Sequence, residues 1–303
     1  MDSSLRRCKT KAFWHKRRFS VERFCRVFGI SKQAWYKRQS AFEKKISFEK
    51  MVLLIVKEIR FKLPYIGIRK LYKMLNNGHY GIPVRIGRDA LFKLLRDNDM
   101  LSRLRKRYRK TTNSKHSFPS YPNLLKEKTI EQINEVWVSD ITYIRLTGGK
   151  FCYLFLTTDY YSRKIIGYAL KTSLSAEGAL EAFDMAHRYA KPPSGFIHHS
   201  DHGIQYCCKE FVSKLLKNNA QISMTGKDHC YDNAVAERVN GILKQEFGLG
   251  KELSDIVAAR KLTIEGINLY NNVRLHVSLE YRTPGYIYSR ASISLNETCG
   301  DIA

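Results

Sequence analysis

Glu135-Val-Trp-Val-Ser-Asp-Ile-Thr-Tyr-Ile144 is the stretch from which the fold can be read. Val136, Val138, Asp140, Thr142 and Ile144 fall on alternate positions, so one face of a β-strand carries all five. Two more acids stand in similar settings. Asp201 closes the strand-like run Gly195 to Ser200, in Ile197-His-His-Ser-Asp-His-Gly203. Glu237 lies in a helical pattern, Tyr231-Asp-Asn-Ala-Val-Ala-Glu-Arg238, with 35 residues between it and Asp201. Three carboxylates a few ångströms apart repel one another by about 4 kcal/mol per pair near a protein surface. A fold keeps such a cluster only if something positive sits in it. Mg²⁺ prefers oxygen ligands and leaves positions for water and phosphate. Two such ions steady both the attacking and the leaving oxygen of an in-line displacement. The pattern therefore predicts metal-dependent phosphoryl transfer on nucleic acid.

Working outward, Phe151 to Thr158 reads as a near-continuous apolar strand. Tyr160-Tyr161-Ser162-Arg163 turns it, and Ile165 to Leu170 returns, which makes a three-strand antiparallel meander. Ser175 to Ala190 is a helix with Leu180 and Phe183 inward, ended by Pro192-Pro193. A fourth strand leads into Asp201. Lys209 to Asn218 is a helix, Ala220 to Met224 a short strand, and Thr225 to Tyr231 a polar loop feeding the Glu237 helix. Ser254 to Asn271 is a further helix. The order β-β-β-α-β-α-β-α describes a mixed α/β domain built on one central sheet.

Upstream the pattern is helical. Val21, Phe24, Cys25 and Phe28 form an apolar stripe, Gly29 breaks it, and Ser31 caps a second helix carrying Trp35, Tyr36, Lys37 and Arg38. That pairing predicts a helix–turn–helix, with the aromatics as its core and basic groups facing DNA. Three short helices follow, over Phe48 to Phe61, Gly67 to Asn76 and Arg88 to Asn98, and suit a second compact DNA-binding unit. Arg103, Arg105, Lys106, Arg107, Arg109 and Lys110 then form a run fit to track phosphates. Ser-, Thr-, Asn- and Pro-rich sequence follows as a linker. The expected division is an N-terminal helix–turn–helix segment at 1–45, a helical DNA-binding domain at 46–110, a linker at 111–129, a catalytic core at 130–290 and a tail at 291–303.

Charge is distributed one-sidedly. The net charge is +25; residues 1–130 hold 34 Lys plus Arg against 9 Asp plus Glu, whereas residues 131–303 hold 19 of each. A basic surplus confined to one part of the chain points to a polyanion partner, with nucleic acid first. No apolar run approaches the ~20 residues of a membrane span, and no signal peptide is visible. Seven scattered cysteines argue against a disulfide framework. His198, His199, Cys207 and Cys208 cannot all converge on one zinc, because neighbouring strand residues face opposite ways. These features predict a cytoplasmic, nucleoid-associated protein with no membrane partner.

Five blocks in order carry a resemblance. They are Trp137-Val-Ser-Asp-Ile-Thr-Tyr143, Asp159-Tyr-Tyr-Ser-Arg-Lys-Ile-Ile-Gly-Tyr168, His198-His-Ser-Asp-His-Gly-Ile-Gln-Tyr206, Cys230-Tyr-Asp-Asn-Ala-Val-Ala-Glu237, and Tyr270-Asn-Asn-Val-Arg-Leu-His-Val-Ser-Leu-Glu-Tyr281 with Thr283-Pro284. Together they resemble the insertion-sequence transposases whose second reading frame encodes a retroviral-integrase-like core. The resemblance covers nearly all of 130–290, and 47–105 resembles that family's upstream helix–turn–helix region. It implies a ribonuclease-H-like integrase core, a mixed five-stranded sheet with flanking helices, preceded by helix–turn–helix segments. It also implies an Asp-Asp-Glu triad at Asp140, Asp201 and Glu237 holding two Mg²⁺ or Mn²⁺ ions. The activity implied is cleavage at transposon ends and strand transfer on double-stranded DNA. A homo-multimer on paired DNA ends is implied too, with an upstream-frame helix–turn–helix and coiled-coil product as partner or fusion. Departures are Ile204, where many relatives carry a small polar residue, and Lys227-Asp228-His229, where relatives often have glycine or asparagine.

Lys244 lies seven residues after Glu237, two turns on and near the same face, so it is placed to hold a phosphate. Arg238, Asn240 and Asn233 are candidate helpers, each equally readable as a solvated helix residue. Asp232 suits a helix N-cap and Asp159 a hairpin corner. Two other functions compete: a non-catalytic transposon-encoded DNA-binding regulator, and a same-fold nuclease that never joins strands.

Overall fold

The computed structural model describes residues 20–78, 81, 83–102, 119–126, 128–226 and 233–300, without the side chains of 294–300. Contacts divide the chain into two compact units, meeting at Lys57 and Glu58. This division does not coincide with the expected boundaries at 45 and 110, and it places residues 58–102 in the same unit as the central sheet.

In the first unit, α1 (Val21–Val27) starts at Ser20, whose hydroxyl accepts the Arg23 N–H at 3.2 Å. Gly29 takes φ +62°, the left-handed turn that stops the helix. Ser31 Oγ accepts the Ala34 N–H at 3.1 Å and opens the next helix. Trp35 packs on Phe24 with ring centroids 4.7 Å apart and serves the helix–helix contact as expected, whereas Tyr36, expected in the same core, is exposed. The second helix differs from the expectation of two separate pieces. It runs unbroken as α2 (Lys32–Lys62), 31 residues. No Gly or Pro interrupts that span, and Pro64 follows its end. Helical backbone persists through solvent-exposed turns when nothing disfavours it.

In the second unit, α3 (Ile68–Asn76) and α4 (Arg88–Asp97) bury Leu71, Met74 and Leu75 against Leu91, Leu94 and Leu95. The Asn76 amide ties their connection by donating to Ile86 O at 3.2 Å and accepting from Ile86 N at 3.3 Å.

Five strands then form one sheet: β1 (Val136–Arg145), β2 (Phe151–Asp159), β3 (Ile165–Lys171), β4 (Ile197–Ser200) and β5 (Gln221–Met224), in the spatial order β3-β2-β1-β4-β5. The first three make the expected antiparallel meander. At its corner Asp159 is fully buried and accepts from Asn134 N at 2.7 Å, Ser162 N at 2.8 Å and Ser162 Oγ at 2.5 Å, the turn-holding role expected of it. β4 and β5 add in parallel through the helices α5 (Ala176–Ala190), α6 (Ile204–Cys207) and α7 (Lys209–Lys217). Helix α5 lies very close on the sheet: a Cβ at Gly167 would stand 2.1 Å from Ala182 O, so only glycine fits there.

β1 is buried on both faces. Its odd residue Trp137 joins Phe155, Phe183, Phe196 and Phe211 under α5 and α7. Its even residues Val136 and Val138 pack with Ile197 and with Ala236 of α8 (Ala234–Glu246). Asp140, also even, therefore lies on the α8 side. Helix α9 (Ile256–Asn272) follows. Helix α10 (Pro284–Gly300) then runs across the expected 290/291 boundary of core and tail. Thr283 Oγ1 accepts the Tyr286 N–H at 3.2 Å, and Pro284 occupies the first helical position, where its missing N–H costs nothing. Among the described residues, no helix is long and apolar enough to cross a membrane.

Candidate active site

The parallel register of β1 and β4 pairs Val136 with Ile197 and Val138 with His199. Asp201 follows directly on the end of β4, and Asp140 lies two residues beyond the last β1 position paired with that strand. Helix α8 crosses the same face and brings Glu237 in its first turn. The charges of the three acids register on one another. Burial first, then the Asp201 and Glu237 charges, push the Asp140 carboxyl up to about 7, against opposing hydrogen bonds from Asn240 and the Ile141 N–H. Glu237 is raised by burial and by Asp201. Among the described residues, however, no three Asp, Glu, His or Cys side chains stand together closely enough to hold one ion. Asp140 Oδ2 instead accepts from Asn240 Nδ2 at 2.7 Å and its Oδ1 from Ile141 N at 2.8 Å. Asp201 Oδ1 accepts from Gly203 N at 3.0 Å. Glu237 is exposed to solvent.

The other sequence candidates separate into distinct settings. Lys244 is half-buried; burial lowers its ammonium while the Asp140 charge raises it, so it shares the acidic face of α8. Asn240 is buried with its amide committed to Asp140. Asn233 is buried as well, donating to Ser139 O at 3.1 Å, so its amide fixes the start of α8 on β1. Both asparagines, expected to reach toward DNA, thus have their amides turned inward. Arg238 is exposed, and its charge registers at Lys70, Glu246, Tyr270 and His276 rather than at Asp140. The basic run Arg103, Arg105, Lys106, Arg107, Arg109 and Lys110 lies outside the described residues, as do Asp232 and Lys227-Asp228-His229.

Sequence reading missed a layer of partners behind the acids. Ser139 Oγ links Thr157 Oγ1 at 3.1 Å and His198 Nε2 at 2.9 Å, and burial keeps His198 neutral by lowering it to about 3. His199 faces the other way and pairs through Nδ1 with Ser223 Oγ at 2.8 Å. Tyr206, a further buried member, stands on α6. The only signal available was polar residues recurring in otherwise apolar strand positions.

A second buried polar group ties α3 to α8. Arg274 bonds Glu246 twice, and Lys70 Nζ stands 3.6 Å from Glu246 Oε1. Arg274 Nη1 lies 3.1 Å from His276 Nε2. Burial together with the Arg274, Lys70, Arg238 and Arg163 charges drops His276 to about 2, so its Nε2 is the acceptor.

Comparison with known proteins agrees with this architecture. The integrase core domain family matches residues 131–230, and a second integrase core domain family matches 218–284. The insertion element IS600 uncharacterized 31 kDa protein of Shigella sonnei is 34% identical over 266 residues, 86% of this chain and 95% of that protein. The transposase InsF for insertion sequence IS3A of Escherichia coli (strain K12) is 28% identical over 269 residues, 86% of this chain and 91% of that protein. Among solved structures, the HTLV-2 integrase catalytic core domain in complex with magnesium shares 16% identity at a TM-score of 0.41, covering 52% of this chain and 97% of that one. The chain belongs to the insertion-sequence transposases that carry an integrase-like catalytic core.

Proposed function

We propose that this transposase cuts and joins DNA through Asp140, Asp201 and Glu237, which together hold two divalent cations, Mg²⁺ or Mn²⁺. The observation that carries the reading is the convergence of the acids on one side of β1, where Asn240 of α8 holds the Asp140 carboxylate at 2.7 Å and Asp140, raised to about 7 by burial first, also registers the Asp201 and Glu237 charges. Oxygen donors of like charge gathered in this way suit a divalent cation. The exposed Glu237 side chain is free to turn toward the Asp140–Asp201 pair and complete the set. When bound, such ions activate the attacking oxygen and stabilise the leaving 3′-oxygen of the phosphodiester.

The chain's own residues do the positioning. Asp140 presents its oxygens from the middle of β1, and Asp201 from just past the end of the adjacent β4. Asn240 fixes the Asp140 carboxylate through its 2.7 Å bond. Lys244, on the same helix face, holds a backbone phosphate near the acids. Arg103 to Lys110 track further phosphates. The substrates are double-stranded element ends and target DNA, bound by a homo-multimer, with an upstream-frame product as a further partner. The helical segments at 20–40 and 58–102 supply DNA contact outside the core.

Asp201→Asn tests the reading. It abolishes end cleavage and strand joining while leaving melting temperature and end binding near the wild-type values. Normal cleavage by the variant overturns the assignment. Cleaved ends with no joined product from the wild-type protein identify a nuclease instead.

A further inference from the structure

Two stretches far apart in sequence, neither used by the chemistry of the acids, meet at one cleft. The hairpin corner between β2 and β3 supplies Tyr160, Tyr161 and Arg163, and the loop before α10 supplies Ser278, Glu280 and Arg282. The cleft is open and holds about 330 Å³. Arg163 and Glu280 of its lining take φ of +64° and +52°, and Tyr281 beside them +60°, a region that favours glycine. These conformations are fixed from the protein side. Arg163 N–H donates to Asp159 O at 2.9 Å, and the Arg163 carbonyl accepts from the Tyr270 hydroxyl at 3.1 Å. His276 N–H donates to Arg282 O at 3.0 Å and closes the second loop.

The two arginines stand ready for an anion. The Arg163 guanidinium lies over the Tyr160 ring, 4.4 Å from its centroid, and that of Arg282 lies over Tyr286 at 5.4 Å. Stacking of this kind holds the guanidinium plane and leaves its N–H edge for a phosphate or carboxylate. Arg163 Nη1 is buried without a hydrogen-bond partner among the described residues. Glu280, the acid of the lining, forms no ion pair with either arginine among the described residues. A residue needed only to turn the chain at this φ would be glycine or asparagine, so the corner alone does not explain the arginine.

The position of the cleft favours DNA as the source of that anion. Tyr160 and Ile130 of the lining pack with Val136, Val138 and Ala236 of α8, so the cleft adjoins the side of the sheet that carries Asp140. Tyr160 N–H donates to Val136 O at 2.9 Å, and Asp140 stands four residues farther along β1, about 13 Å. One DNA strand covers that length in about four phosphates.

We propose that Arg163 and Arg282 form a second phosphate site on the core, which takes a backbone phosphate of bound DNA remote from the acids. The proposal rests on the reading that duplex DNA is the substrate and does not depend on the triad.

The test titrates full-length protein in chelator with a labelled duplex of arbitrary sequence at several salt concentrations, with melting temperature measured alongside. Arg163→Gly relieves the left-handed backbone and should melt near the wild-type temperature. Arg163→Gly and Arg282→Gln are each expected to weaken binding about tenfold and to reduce the slope of log affinity against log salt by about one, and the double variant by about two. Arg260→Gln, which removes an exposed arginine of α9 outside the lining, is expected to change neither. If either cleft variant melts as wild type and binds with unchanged affinity and slope, or if Arg260→Gln lowers the slope as much, the inference falls while the DNA reading stands. If Arg163→Gly does not fold, Arg282→Gln decides by the same criterion. A wild-type protein that binds no duplex overturns the DNA reading and this inference together.

Discussion

Arg274 grips Glu246 with two parallel bonds, Nη2 to Oε1 at 2.6 Å and Nε to Oε2 at 2.8 Å, and both residues are buried. The fork geometry matches guanidinium to carboxylate, the strongest arrangement such a pair has. Lys70 of α3 adds a second cation to the same carboxylate. The helix that carries Glu237 is therefore clamped at its far end to residues well outside the sheet.

Breaking that clamp on one side is expected to be costly. Glu246→Gln leaves Arg274 buried without a counter-charge and should destabilise the fold by about 3–5 kcal/mol. Replacing all three, Glu246→Leu with Arg274→Met and Lys70→Met, should cost less than the single change, since no charge is stranded. Denaturant unfolding of the two variants measures this ordering, and a single variant as stable as wild type would refute it.

Removing the Asn240 amide should damage catalysis more than folding. Asn240→Ala deletes the 2.7 Å bond to Asp140, and the turnover rate at saturating Mg²⁺ should fall about ten- to a hundredfold. Because that bond lowers the Asp140 pKa, the acid limb of the pH–rate profile should move to higher pH. An unmoved limb would show that the amide does not tune Asp140.

The pH dependence of stability has a definite sign. The Asp140 carboxyl is raised from 3.8 to about 7 in the folded chain, so folded protein binds a proton that unfolded protein releases between those values. In chelator this contribution is full below about pH 4 and disappears as pH rises through about 7. Mg²⁺ should reverse the trend, because cation and proton compete for the same oxygens. Melting curves of wild type and Asp140→Asn across pH isolate the effect from Asp159, which burial also raises, and from Glu246, which Arg274 holds down.

Lys244 should act on DNA rather than on the fold. Lys244→Ala is expected to weaken binding of element ends and to reduce the slope of log affinity against log salt by about one. Unchanged affinity and slope would assign Lys244 to the helix alone.

Most of the sheet was legible because alternation and corner residues are local signals. Val136, Val138 and Asp140 declared the central strand, and Tyr160 to Arg163 declared its hairpin. Asp140, Asp201 and Glu237 stand out in the sequence for the same reason, since each sits in a polar interruption of a regular pattern. What escaped depends on partners distant in sequence. Glu246 and Arg274 are 28 residues apart, and neither looks unusual on its own helix or loop. Asn240 looked like a solvent-facing helix residue because nothing in its neighbourhood reveals that Asp140, 100 residues earlier, waits opposite.

The ladder between β1 and β4 ends at Val138 and His199, while β1 continues beside β2 as far as Arg145. Among the described residues, β1 beyond Val138 ladders with β2, Leu253 N donates to the Arg145 carbonyl, and the Asn233 amide donates to the Ser139 carbonyl. Asp140 and Asp201 sit at this fork, where two parallel strands part company. The stretch of β1 that carries Asp140 is thus held from the α8 side by Asn233 and Asn240 rather than by a β4 ladder, so a change at either asparagine should loosen the strand where the acids converge.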